Sequence, residues 1–290
     1  MLVIRNHEVI GSNPIAGSII SATRVMSLFR AIALFAATLL LPTFLHSETT
    51  AERLLLATFK VFNADSTATG FLVRDPSPDA ARTNVLLVTT RHTFDKAKGD
   101  RVLLVCRTRD AQGAWQRIDH KILIRSPTGA PLWTTHSTQD VAVLRCTLPP
   151  QAVFEALPLD ALADAAALAD RKVTLGTPLF FLGYPYRTEA NSAGFPLLRE
   201  GVVSGYPLTP VKTYPTFFFS AHTFAGDSGA PVALHTADDG PPLIVGIVIT
   251  RTQQNDRLTS PEWDMTFKRD MGLGSILHAA YIRETIALLK

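Results

Sequence analysis

Charge is scarce in this chain. Only 18% of its 290 residues are Asp, Glu, Lys or Arg, and the formal net charge is +3. Two of those three charges fall within residues 1–47, where Arg5, Arg24 and Arg30 face Glu8 alone, so the remainder carries about +1. That argues against a nucleic-acid or anionic-membrane surface, which needs concentrated cations. Cysteine is scarcer still. Cys106 and Cys146 are enough for one disulfide, and two buried free thiols fit equally well. No His-Glu-x-x-His or Cys/His cluster is present, so neither a metal nor another cofactor is expected. Internal repeats and low-complexity tracts are also not evident.

Apolar residues and turn formers are plentiful. Hydrophobic residues make up 47% of the chain, with 17 Gly and 19 Pro, which describes a globular protein able to bury a sizeable core between many turns. Short strand-like runs recur at residues 54–61, 70–73, 85–89, 102–106, 121–124, 141–144, 179–182, 201–204, 216–220 and 243–249. Their punctuation by Gly and Pro predicts an all-β fold, and their grouping into two clusters suits two six-stranded barrels. An Ala-, Leu- and Asp-rich segment, residues 151–172, separates the clusters as the natural connection. Near the end Ile276, Leu277, Ala280, Ile282, Ile286 and Leu289 recur close to helical spacing, which predicts a helix over residues 275–290.

Chemistry is concentrated in Gly226-Asp227-Ser228-Gly229-Ala230-Pro231-Val232. A serine flanked by glycines sits in a turn that can expose its hydroxyl, which makes Ser228 a candidate nucleophile. A hydroxyl needs a base, and the base needs a group to orient it. An aliphatic and β-branched run from Val85 ends at His92, and Asp140 stands before a second apolar run, Val141-Ala142-Val143-Leu144. Taken singly, His92 reads as a strand-end histidine and Asp140 as a turn carboxylate. Together they supply base and orienting group, while the N–H groups of Gly226 and Ser228 suit an oxyanion hole.

The order His, Asp, Ser and the residues around each resemble the trypsin-like (chymotrypsin-like) serine peptidases, in the style of their bacterial HtrA-like branch. Two further segments resemble strands and turns of that branch: Ala68-Thr69-Gly70-Phe71-Leu72-Val73, and Phe181-Leu182-Gly183-Tyr184-Pro185. The resemblance spans roughly residues 55–285. It implies two six-stranded antiparallel Greek-key barrels, at about 48–150 and 173–274, with the active site in the cleft between them. It also implies a C-terminal helix, a polypeptide substrate and no cofactor. With only that helix after the second barrel, no PDZ module is expected. Because the base must be neutral, activity is expected to fall below about pH 6.5.

Residues 1–47 are expected to be a leader. Arg30 precedes an apolar run, residues 31–41, of signal-peptide length, and Met26 would begin a conventional signal by itself. Pro42 interrupts the run short of the roughly 20 residues a spanning helix needs, so export to the periplasm or exterior is expected rather than a stable membrane span. The resemblance also places His222, six residues before the nucleophile, at the base of a specificity pocket, with Arg251 near its rim. Together they would suit an acidic substrate side chain; the ordinary alternative is that His222 is structural and Arg251 solvated.

Asp227 raises a separate question. Zymogen-type relatives use an aspartate there to bind a newly cleaved N-terminus, yet no Ile-Val-Gly-Gly-like activation site lies near residues 48–70. Backbone amides or another polar side chain are therefore expected to hold Asp227, with no propeptide step. An exported endopeptidase is the leading reading. A catalytically idle peptide-binding member of the same fold stays open, and oligomeric state is not legible.

Overall fold

The structure, a computed structural model, describes residues 49–63, 66–77, 81, 84–235 and 240–289. The expected leader lies outside these residues. The chain opens with helix α1 (Thr50–Ala57), although residues 54–61 read as a strand. Thr49 accepts from the Glu52 N–H at 3.2 Å, and its own N–H donates to the Glu52 carboxylate at 2.8 Å. This capping box nucleates a helix in a run of good helix formers, while buried Leu54 and Ala57 anchor it. The strand starts only at Thr58.

Four further strands complete the first half around β1 (Thr58–Phe62), β2 (Thr67–Arg74) and β3 (Asn84–Thr89). They are β4 (Arg101–Arg109), β5 (Trp115–Leu123), the two-residue β6 (Thr134–Thr135) and β7 (Ala142–Thr147), with the short helix α2 (Arg91–Asp95) after β3. The sheet order is β5-β4-β1-β2-β3-β7-β6, antiparallel throughout. Alternation along β2 and β3 explains their near-continuous apolar sequence. Leu72 and Leu87 face a core of their own with Phe59 and Leu104, whereas Phe71, Val73, Leu86 and Val88 face the opposite way, into the core shared with the second half.

The connection contributes a 3-10 turn (Leu159–Ala161) and helix α3 (Ala165–Asp170), and its Leu157, Leu162 and Leu168 are buried in the shared core. Six strands then close a barrel in the order β10-β13-β12-β11-β8-β9. They are β8 (Pro178–Gly183), β9 (Leu197–Val203), β10 (Thr216–Ser220), β11 (Pro231–Leu234), β12 (Ile244–Thr259) and β13 (Asp264–His278). The last helix, α4, covers Ala280–Ala287. It starts later than expected because residues 275–278 complete β13, where Ile276 and Leu277 pair with Val248 and Ile247. A strand and a helix can share such a short apolar pattern, and here the pairing decides. Cys106 and Cys146 are free thiols, both pushed up to about 12, chiefly by burial, so neither is a ready nucleophile. Among the described residues no helix is long and apolar enough to cross a membrane.

Candidate active site

β3 delivers its last residues to a cleft between the two halves, and the chain turns there into α2, which carries His92. Thr90 precedes the helix in extended conformation. On the neighbouring strand Ala142 pairs with Thr89, which brings Asp140, two residues earlier, beside the same end. Its carboxylate accepts twice from His92, from the backbone N–H at 3.0 Å and from Nδ1 at 2.6 Å. Those two contacts fix the ring and set its proton on Nδ1, leaving Nε2 as the free base. Burial pushes the Asp140 carboxyl up, but the His92 contacts and the Arg91 charge outweigh it, and the group is held below the usual carboxylate range.

Ser228 lies on the far side of the cleft, in the tight loop before β11. Gly226 has φ +107° and Gly229 φ +87°, both in the left-handed region. Each also lies against backbone: a Cβ on Gly226 would collide with the Tyr184 carbonyl oxygen, and one on Gly229 with that of Thr69. Thr69 clamps the loop from β2, donating its N–H to the Ser228 carbonyl at 2.9 Å and its hydroxyl to the Gly226 carbonyl at 2.8 Å. The Gly229 N–H donates to the Val248 carbonyl at 2.8 Å. Among the described residues, the N–H groups of Gly226 and Ser228 find no protein acceptor. Two unspent donors beside a candidate nucleophile are what an oxyanion would need.

The loop's remaining charge is Asp227, which is fully buried. Arg199, projecting from β9, grips it with two parallel hydrogen bonds of 2.8 and 2.5 Å, and the Phe224 N–H adds a third at 2.7 Å. The guanidinium also lies over the Phe181 ring, 4.4 Å from its centre. The polar side chain that the sequence left unnamed is thus Arg199, and no liberated N-terminus is needed to neutralise Asp227.

His92, Asp140 and Ser228 line one cleft of about 400 Å³. The structure therefore brings the three together. Ser228 Oγ makes no hydrogen bond to His92 Nε2, which instead lies 3.5 Å from Thr90 Oγ1. Arg251 lines the cleft and donates to the Tyr186 hydroxyl at 3.3 Å, whereas His222 is outside the lining, its side chain 70% exposed, stacked on Phe224 and 3.9 Å from Asp270. Lys96 also lines the cleft. Nothing in its local sequence set it apart from other surface lysines. Among the described residues no group of three or more His, Cys, Asp or Glu side chains could hold a metal ion.

Residues 68–238 match the family model described as a trypsin-like peptidase domain. No curated protein matches the chain. Among solved structures it is similar to the protease Anisep from Arthrobacter nicotinovorans, with 15% identity over 82% of this chain and 95% of that one, TM-score 0.46. A protease from M. tuberculosis in an inactive form shares 17% identity over 85% and 94%, TM-score 0.42. The serine protease of a human pathogenic astrovirus shares 13% over 77% and 88%, TM-score 0.40.

Proposed function

The chain belongs to the trypsin-like peptidase family, and from that premise we propose that it is an exported serine endopeptidase working through His92, Asp140 and Ser228. Ser228 Oγ attacks the peptide carbonyl while neutral His92 accepts its proton at Nε2. Asp140 steadies the imidazolium that forms, and the tetrahedral oxyanion accepts from the Gly226 and Ser228 N–H groups. Collapse of the tetrahedral species breaks the C–N bond, with His92 returning the proton to the leaving amine. Water then repeats the sequence on the acyl-enzyme.

The observation that carries this reading is the pairing of a doubly anchored Asp140–His92 couple with two unspent N–H donors across one cleft. Arg251 and Lys96 on the cleft wall support a preference for acidic over basic substrate side chains. The test is hydrolysis of a peptide library by the purified protein and by Ser228→Ala. Cleavage that the substitution abolishes, at bonds enriched in acidic neighbours, supports both parts. Cleavage dominated by Lys or Arg on the acyl side would remove the acidic preference and leave the peptidase.

One observation favours a latent member of the fold instead. The Ser228–His92 hydrogen bond is open, with Thr90 the polar neighbour of Nε2. Such a bond commonly closes only when substrate binds. An intact, folded protein that hydrolyses none of the library would favour latency.

A further inference from the structure

Asp140 has a weakness that its partners do not cure. Among the described residues only His92 donates hydrogen bonds to its carboxylate, so the direction in which Asp140 points depends on the backbone behind it. That backbone is the turn from His136 to Val141, closed by the His136 N–H on the Val141 carbonyl at 3.3 Å and the Val141 N–H on the Gln139 carbonyl at 3.0 Å.

His136 is 9% exposed, and its side chain folds back into this turn. Its Nδ1 accepts from the Thr138 N–H at 3.2 Å and the Gln139 N–H at 3.1 Å. Two backbone donors converging on one ring nitrogen require a lone pair there, which puts the proton on Nε2. Nε2 faces the Glu284 carboxylate on α4 at 3.2 Å, and that carboxylate also accepts from Lys212 Nζ at 2.7 and 2.8 Å. Beneath the ring, Tyr281 of α4 stands edge-on at 5.1 Å and donates its hydroxyl to the Val211 carbonyl at 3.1 Å. The turn that aims Asp140 is thereby fastened to the last helix of the chain.

We propose that His136 is a positioning residue for the reaction: its neutral Nδ1 holds the turn that aims Asp140 at His92, and its Nε2–H fastens that turn to α4 through Glu284. The proposal rests on the triad reading above, and its two hydrogen-bonding edges can be tested apart. Asparagine carries an acceptor oxygen on Cγ, where histidine carries Nδ1, and so can satisfy the turn without reaching Glu284. Glutamine reaches toward Glu284 and leaves the turn N–H groups without that acceptor.

The experiment compares wild type, His136→Ala, His136→Asn and His136→Gln by kcat and KM on a short peptide ester. It is paired with proton NMR of the low-field His92 Nδ1–H signal, assigned by its loss in Asp140→Asn. Misplacing a catalytic group by about 1 Å costs on the order of 100-fold, so His136→Ala is expected to lower kcat by roughly 10- to 100-fold with KM little changed and to broaden the signal. His136→Asn is expected to recover kcat to within about threefold of wild type and to restore the signal, whereas His136→Gln behaves like His136→Ala. A folded His136→Ala with wild-type kcat and an unaltered signal would overturn the proposal, as would His136→Asn no better than His136→Ala. The NMR arm does not depend on turnover. A wild type that shows the signal and hydrolyses nothing would defeat the peptidase reading alone.

Discussion

The Arg199–Asp227 pair decides whether the Gly226–Gly229 loop can stand without help. Asp227 is fully buried and the Arg199 side chain is 20% exposed, so removing the cation strands a carboxylate in the interior. Arg199→Leu is therefore expected to cost roughly 3–5 kcal/mol of stability, read from urea unfolding, and to slow Ser228 labelling by an active-site probe. Unchanged stability would mean that the Phe224 N–H and the surrounding amides neutralise Asp227 by themselves. Ser228, His92 and Asp140 were visible in the sequence because each stands against a local signal, a glycine turn or the end of an apolar run. Arg199 was not, because its role comes from register. β8 pairs with β9 so that Phe181 lies opposite Arg199, and that pairing puts the guanidinium under a loop almost thirty residues further on. His136 escaped notice for the same reason, since its partners are turn amides and a helix at the far end of the chain.

Among the elements, α1 and the β12–β13 ribbon departed most from what the sequence suggested. For α1 the signal was present in the Thr49/Glu52 capping box but was outweighed by the apolar run that follows. Thr49→Ala is expected to lower stability by about 1 kcal/mol, seen as a small drop in melting temperature with ester hydrolysis unchanged; a loss of activity would tie α1 to the site. The ribbon was hidden for a different reason. From Gln253 to Asp270 its two strands pair only with each other, since β11 leaves β12 at Ile247 and β10 leaves β13 at Leu273. Leu258, Trp263, Met265 and Phe267 are exposed on it, so no buried face imposes the alternation by which a strand is recognised. Replacing residues 253–270 with a tight turn is expected to leave the barrel's melting temperature and short-ester kcat/KM near wild type. A collapse of either would show that the ribbon supports the barrel.

At the scale of the whole molecule, the two-cluster grouping of strands was legible because burial on both faces leaves long apolar runs in β2, β3, β8 and β12, whereas the cleft was expected only from the family resemblance, with His92 and Asp140 in one cluster and Ser228 in the other. The HtrA-like style rests on the strand at Gly70-Phe71 and the turn at Gly183-Tyr184-Pro185, and remains an expectation of the sequence alone. One buried group links the folded state to pH. Burial pushes the His278 imidazole down to about 4, against an ordinary value of 6.5. The unfolded chain takes up that proton from about pH 6.5 downward and the folded chain only near pH 4, so stability is complete above 6.5 and declines as pH falls through this window, by about 3 kcal/mol in full. His278→Phe is expected to flatten the dependence of melting temperature on pH between 6.5 and 4; a slope parallel to wild type would place the titration elsewhere. The central claim is that Ser228 is an activated nucleophile. Its most direct test is to treat the purified protein with a fluorophosphonate, locate the adduct by mass spectrometry, and repeat with Ser228→Ala. The account predicts one adduct, on Ser228, that disappears in the variant. A folded wild-type protein left unlabelled from pH 6 to 9, or labelled equally in the variant, would contradict it.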